Sequence, residues 1–166
     1  LWNRNFIERV EITAVENMGI ETRGGFYDNT GALRDMVQNH LIQLLALVAM
    51  EPPIAFNEKE FRNEVVKVYR SLKPLSEEEI ERDVIRGQYI ESHLKGGRRV
   101  LPYREEKNVN SQSMTETFLA MKVNILNWRW EGVPFYIRTG KQMPTKVTEI
   151  VIHFKPTPHR LFSSRD

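Results

Sequence analysis

The sequence predicts an α+β fold, in which helices pack on one face of a largely antiparallel sheet. An alternating, strand-like stretch near the start is followed by a long stretch with helical periodicity. The last third of the chain is instead rich in β-branched and aromatic residues, which favour strands. Helices and strands are therefore segregated along the chain, a pattern typical of α+β proteins.

The composition bounds the class of protein. Hydrophobic residues make up 40% of the 166 residues and charged residues 28%, which is typical of a globular domain or part of one. The formal net charge of +2 is too balanced to indicate a nucleic-acid partner. The absence of cysteine excludes disulfides and a cysteine nucleophile in this chain and fits a cytoplasmic location. No stretch approaches the ~20 apolar residues of a membrane span.

The first predicted element is a half-buried strand over residues 6–16. Its middle alternates apolar and polar side chains, in the order Val10, Glu11, Ile12, Thr13 and Ala14. The next stretch, 19–31, is rich in glycine and small polar residues and predicts a structured loop. Asn29 or Thr30 is the expected N-cap of the helix that follows.

That helix is predicted to run to about Met50, where Pro52 and Pro53 prevent its continuation. Its apolar stripe consists of Leu33, Val37, Leu41, Leu44 and Val48. His40 lies three residues after Val37 and four before Leu44, so it shares the stripe. Periodicity alone therefore indicates that His40 is a packed imidazole with hydrogen-bonded nitrogens.

The remaining elements follow the same logic. A second helix is expected over 61–72, and another begins near Ser76, where acidic residues complement the helix dipole. The polar connection over 93–113 is predicted to be a mobile loop. Strands are predicted at 84–89, 116–125, 133–141 and 148–155, with a turn at Glu131 and Gly132.

Two groups of residues have chemistry suited to a ligand, a sugar for the first and a phosphate for the second, but each group considered alone is better explained without one. Glu16 ends the first strand and Asp35 lies early in the long helix; such carboxylates accept hydrogen bonds from hydroxyls, but solvation or the helix dipole also explains them. Arg138, Lys141 and Lys146 end a strand and can hold a phosphate, although lysines there also protect a sheet edge.

Other kinds of site are not indicated. The sequence contains neither Gly-x-Gly-x-x-Gly nor a P-loop, and its histidines lack the spacing of a metal site. The aromatic and basic residues of 129–141 are compatible with single-stranded nucleic acid. Their alternation fits strand packing better, so nucleic-acid binding is not predicted.

Three stretches carry a more specific pattern: RVEITAVENMGIETRGGFYDNTGALRDMVQNHLIQLLALVAMEPP, VIRGQY and RWEGVPFYIRTGK. In this order and at these separations the chain resembles the glucose-6-phosphate dehydrogenases over nearly its whole length. The segments GALRDMVQNH and WEGVPFYIRTGK are the most specific part of the resemblance.

The resemblance implies a dehydrogenase of the oxidative pentose phosphate pathway, which oxidises glucose 6-phosphate to 6-phosphogluconolactone and reduces NADP. Family members bind the coenzyme mainly through an N-terminal Rossmann domain, whose motifs this chain lacks. Residues 1–166 are therefore expected to form part of the C-terminal substrate domain and to be inactive alone. A homo-oligomer, formed as a dimer through the sheet, is also expected.

The resemblance also implies roles for single residues. His40, in QNH, is the expected general base for the C1 hydroxyl of the sugar. Glu16 and Asp35 are expected to bind sugar hydroxyls, and Lys141 and Lys146 match two basic substrate positions. The aspartate that orients the histidine in the family belongs to a segment that this sequence does not contain.

One departure and one alternative remain. Some family members bind a second, structural NADP after the GK strand; Arg138 is retained here, but Val147 and Val151 replace basic residues, so this second coenzyme is not expected.

The alternative function is a non-catalytic module for oligomerisation or for sugar-phosphate binding. The presence of His40, Glu16, Asp35 and Lys141 together argues against it.

Overall fold

The computed structural model describes residues 1–93, 97 and 99–157. Its main sheet has the strand order β2-β5-β6-β1-β7, and only the pairing of β1 with β6 is parallel. Two short strands, β3 and β4, form a separate hairpin. The strands are β1 (Ile7–Val15), β2 (Val84–Gly87), β3 (Ser92–His93), β4 (Arg99–Val100), β5 (Phe118–Val123), β6 (Phe135–Gly140) and β7 (Val147–Phe154). The predicted α+β class is confirmed.

The helices lie between β1 and β2 in the chain. They are α1 (Gly24–Ala32), a π-helical segment (Leu33–Leu41), α2 (Ile42–Ala49), α3 (Glu58–Arg70) and α4 (Glu77–Asp83). The predicted start of α4 is confirmed, because Ser76 and Glu79 form a reciprocal capping box. The predicted end of the long helix is also confirmed, since Met50 is already extended ahead of the two prolines. None of the helices in the described ranges is long and apolar enough to cross a membrane.

The two faces of the sheet differ as the alternation predicts. On β1 the side chains of Val10, Ile12 and Ala14 join one hydrophobic core with apolar residues of the π-helical segment and of α2. On the opposite face Glu11 and Thr13 line an open depression of about 630 Å³. The helices thus cover one face of the sheet, and in the part of the chain that the structure describes the other face carries this open depression.

The predicted loop over residues 19–31 is wrong in its second half, which forms α1. Asn29 and Thr30 do not cap the next helix; their side chains donate to carbonyls one turn earlier in α1 itself. Gly24 fits here because a Cβ at this position would lie 2.0 Å from the Lys107 carbonyl oxygen. Gly31, with φ of +67°, kinks the chain between α1 and the π-helical segment. These glycines serve close packing and a kink, and neither prevents the helix.

The connection over 93–113 is largely irregular, as predicted, but part of it is anchored against α1. Tyr103 is fully buried and contacts Tyr27 edge to face, with ring centroids 6.2 Å apart. A short 3₁₀ helix, Tyr103–Glu105, begins at this anchor. Residues 94–96 and 98 of the predicted mobile loop lie outside the described residues.

Candidate sugar-phosphate site

The parallel pairing of β1 and β6 brings the carboxyl ends of both central strands to one edge of the sheet. Val15 pairs with Gly140, and the amide of Glu16 donates to the Gly140 carbonyl at 2.9 Å. The next residue along β6, Lys141, places its Nζ 2.5 Å from Oε2 of Glu16. The side chain of Lys141 is only 8% exposed, so its charge is buried beside the carboxylate. Two predicted site residues are thus joined directly.

Tyr27 of α1 completes the surroundings of Lys141. Nζ of Lys141 lies 5.3 Å from the centroid of the Tyr27 ring, which is a cation–π distance. The hydroxyl of Tyr27 donates to the backbone carbonyl of Glu116 at 3.3 Å. Burial, reinforced by the charge of Glu116, raises the pKa of Tyr27, so the hydroxyl remains a donor at neutral pH.

Asp35 lies near the start of the π-helical segment, and its side chain is 14% exposed. Its Oδ1 is 3.4 Å from a guanidinium nitrogen of Arg23. Arg23 belongs to a short 3₁₀ turn before α1, and its guanidinium also lies over the Phe26 ring. The carboxylate therefore faces the exposed Arg23 guanidinium as well as the positive end of the helix dipole.

His40 is exposed, so the interpretation as a packed imidazole is wrong. The segment that carries it is π-helical: the amide of Ile42 donates to the carbonyl of Val37, five residues earlier. This wider winding keeps Val37 and Leu41 in the core and turns His40 away from the stripe. Among the described residues, no hydrogen-bond partner of the His40 ring is found, and the segment itself packs against β1 and β6.

The three basic residues at the end of β6 do not converge. Arg138 projects to the open face of the sheet, where its guanidinium donates to Oγ1 of Thr13 at 3.2 Å. Lys146 is exposed just before β7. Only Lys141 is drawn into the cluster with Glu16 and Tyr27.

Asp28 was not identified from the sequence. Its hydrogen bonds attach the connection after β4 to α1. Its carboxylate accepts hydrogen bonds from the Tyr103 hydroxyl at 2.8 Å, the Asn110 amide at 3.3 Å and the Ser113 hydroxyl. Burial raises the pKa of Asp28, but these hydrogen bonds outweigh it, and the pKa lies below its ordinary value. The partners are far from Asp28 in the chain, so no local motif marks this anchor.

A stability measurement at two pH values tests this anchor. A folded-state pKa below the unfolded value of about 3.9 means that the stabilisation is complete above that pH and is lost as pH falls through the folded pKa. We therefore expect Asp28→Asn to lower the free energy of unfolding by about 1–2 kcal/mol near neutral pH, and by less at pH ~3. Urea unfolding provides the measurement, and Glu81→Gln, at an exposed position of α4, is the control. An Asp28→Asn effect that does not change with pH contradicts the prediction.

Comparisons with known proteins match this chain to one family. The family model for the glucose-6-phosphate dehydrogenase C-terminal domain matches residues 1–166. Glucose-6-phosphate 1-dehydrogenase of Aggregatibacter actinomycetemcomitans is 56% identical over 163 residues, which are 98% of this chain and 33% of that protein. The enzyme of Mycolicibacterium smegmatis is 52% identical over 162 residues, which are 98% of this chain and 32% of that protein.

Solved structures that are similar to this chain belong to the same family. The crystal structure of glucose-6-phosphate 1-dehydrogenase from Mycobacterium avium has a TM-score of 0.82 and 41% identity, covering 99% of this chain and 33% of that one. A glucose-6-phosphate dehydrogenase in complex with its substrate glucose-6-phosphate has a TM-score of 0.84 and 35% identity, covering 97% and 32%. This chain spans about a third of the length of these relatives. The chain belongs to the glucose-6-phosphate dehydrogenase C-terminal domain family.

Proposed function

We propose that the chain forms the sugar-binding part of an NADP-dependent glucose-6-phosphate dehydrogenase, as part of its C-terminal substrate domain. The observation that carries the proposal is the ion pair between the half-buried Glu16 and the buried Lys141 at the strand ends, next to the segment that bears Asp35 and His40. A paired carboxylate and ammonium at the strand ends suit a polar ligand with hydroxyl groups, and the family of the chain supports glucose 6-phosphate as that ligand.

His40 acts as the general base in this proposal. The imidazole accepts the proton of the C1 hydroxyl, while C1 is oxidised from the hemiacetal to the lactone. The exposure of His40 leaves its ring accessible to a sugar. NADP, when bound, supplies the hydride acceptor. The sequence contains no Gly-x-Gly-x-x-Gly motif, so we assign coenzyme binding mainly to an N-terminal domain of the full-length enzyme.

Glu16, Asp35, Lys141 and Lys146 orient the sugar. Lys141 engages one oxygen of the Glu16 carboxylate, which fixes the direction of the other towards a hydroxyl. Such a fixed acceptor lowers the entropic cost of reaching the reactive geometry. The exposed Lys146 contributes a flexible cation for the phosphate side of the ligand.

We further infer that full-length subunits associate as a cytoplasmic dimer through the sheet. The open face presents Arg9, Glu11, Tyr136 and Arg138 around the 630 Å³ depression. Tyrosine and arginine are enriched in protein interfaces, and the mixed charges allow complementary pairing with a second copy.

A pair of lysine substitutions tests the function. In the full-length enzyme, Lys141→Met removes a charge-assisted hydrogen bond worth about 1.5–3 kcal/mol, so kcat/KM for glucose 6-phosphate falls by roughly 10- to 150-fold. Lys155→Met is the matched control: Lys155 donates to the Arg4 carbonyl at the opposite end of the sheet and leaves kcat/KM unchanged. NADP reduction is followed by absorbance.

Two outcomes contradict the proposal. Wild-type full-length protein that does not reduce NADP with glucose 6-phosphate is not this dehydrogenase, and tight sugar-phosphate binding without turnover then favours the non-catalytic alternative. NADP reduction by the 166-residue chain alone contradicts the assignment of coenzyme binding to another domain.

A further inference from the structure

Glu116 lies two residues before β5 and accepts hydrogen bonds from three residues near the site. Its Oε1 accepts a hydrogen bond from the Leu33 amide at 2.9 Å, at the start of the π-helical segment. Its backbone carbonyl accepts from the Ala32 amide at 3.1 Å and from the Tyr27 hydroxyl at 3.3 Å. The carboxylate therefore satisfies a first-turn donor that the chain kink at Gly31 leaves without a helical partner.

The neighbouring residue extends the same contact to the strand ends. The backbone carbonyl of Thr117 accepts from the Lys141 amide at 2.9 Å, and its Oγ1 accepts from the Tyr89 amide. Thr117 is fully buried. The dipeptide of Glu116 and Thr117 thus connects the segment carrying Asp35 and His40 with the strand end carrying Lys141.

Gly31 is matched to this arrangement in two independent ways. Its φ of +67° combined with a ψ of 176° is a backbone conformation that essentially only glycine adopts. In addition, a Cβ at this position would lie 2.5 Å from Oε1 of Glu116, in the space that the capping carboxylate occupies. The backbone at Gly31 and the Glu116 carboxylate therefore fit each other. A glutamate that was only solvated at the surface would not need such a fit.

We propose that Glu116 is a positioning residue for the sugar site, which holds the segment of Asp35 and His40 in register with Glu16 and Lys141. It touches no reacting atom and acts through the Leu33 amide. This inference rests on the proposed function for its kinetic consequence, but its structural consequence can be measured without it. The two can therefore fail separately.

The test compares Glu116→Met with Glu116→Gln in the full-length enzyme. The two side chains have similar length, but only glutamine keeps an acceptor for the Leu33 amide. We expect Glu116→Met to lower kcat/KM by roughly 10- to 100-fold, chiefly through kcat, since small displacements of catalytic groups have effects of this size. Glu116→Gln stays within about threefold of wild type, because its carbonyl retains the hydrogen bond.

Hydrogen exchange supplies the second readout. Amides of residues 33–41 exchange about tenfold faster in Glu116→Met than in Glu116→Gln, corresponding to the loss of one capping hydrogen bond. Glu79→Met is the matched control, because Glu79 caps α4 in the same manner and lies outside the site. It changes stability without changing kcat/KM or exchange in 33–41.

The outcomes separate the two hypotheses. Equal exchange in Glu116→Met and Glu116→Gln overturns the positioning role, as does a wild-type kcat/KM in Glu116→Met. An inactive wild-type enzyme refutes the proposed function, and exchange alone then decides the role of Glu116. If Glu116→Met does not fold, Glu116→Asp replaces it: the shorter side chain withdraws the acceptor and gives the same losses, and unchanged kinetics and exchange in this variant overturn the role.

Discussion

Replacing His40 with asparagine in the full-length enzyme lowers kcat for glucose 6-phosphate oxidation by about 10²- to 10⁴-fold, the usual contribution of a general base. Asparagine still hydrogen-bonds a hydroxyl, so the sugar binds, but its amide does not accept a proton at neutral pH. We therefore expect KM to change much less than kcat. Steady-state NADP reduction over a range of sugar concentrations separates the two constants.

His153→Asn provides the matched control. This histidine lies on β7, close to Glu11 on the sheet, and its side chain is 31% exposed. The same chemical change there leaves kcat at the wild-type value. Near-normal turnover in His40→Asn removes His40 from the role of base and leaves it, at most, a role in binding.

The largest loss of stability is expected from Trp130→Ala, at about 3–5 kcal/mol. Trp130 is fully buried, its indole N–H donates to the Ala49 carbonyl at 2.8 Å, and its ring packs edge-on against Phe135 at 5.2 Å. Alanine leaves a cavity between the end of α2 and β6, together with an unpaired carbonyl. Urea unfolding of the chain measures the change in the free energy of unfolding.

A tryptophan two residues earlier is the natural comparison. Trp128 is 88% exposed, and its ring lies under the Arg4 guanidinium, 5.7 Å from the centroid. Trp128→Ala is expected to cost less than about 1 kcal/mol, the value of an exposed cation–π contact. Similar losses in the two variants contradict the assignment of Trp130 to the core.

The parts of the fold that follow from local periodicity could be predicted from the sequence. The alternation in β1 gives the correct faces, because a strand has a period of two whatever its neighbours are. The start of α4 could also be predicted, since Ser76 and Glu79 act within one turn. In both cases the residues that decide the structure are close together in the chain.

The helical region before the site could not be predicted in this way. The Gly31 kink lies against Glu116, whose carboxylate accepts a hydrogen bond from the Leu33 amide, 83 residues away in sequence. The exposure of His40 depends on π-helical winding, whereas the prediction assumed an α-helix. Spacing therefore placed His40 on the wrong side of its helix, and the family resemblance marked it as the candidate base.

The grouping of the site residues could be predicted only in part from the sequence. Glu16 and Lys141 are each unremarkable alone, and it is the parallel pairing of β1 with β6 that joins them. The sequence pattern favoured antiparallel neighbours, which would not have brought both carboxyl ends to one edge. The family resemblance named these residues, and the strand topology gives the physical reason for their proximity.

The parallel pairing of β1 with β6 also determines when the site can form during folding. Glu16 and Lys141 are separated by 125 residues, and all the helices, together with β2 and β5, lie between them. Contacts of such long range form slowly, because the intervening chain must first be ordered. On the ribosome, the Glu16 carboxylate therefore cannot pair with Lys141 until β6 has emerged. The ion pair forms only after most of the described chain has been synthesised, and a nascent chain that ends before Lys141 lacks it.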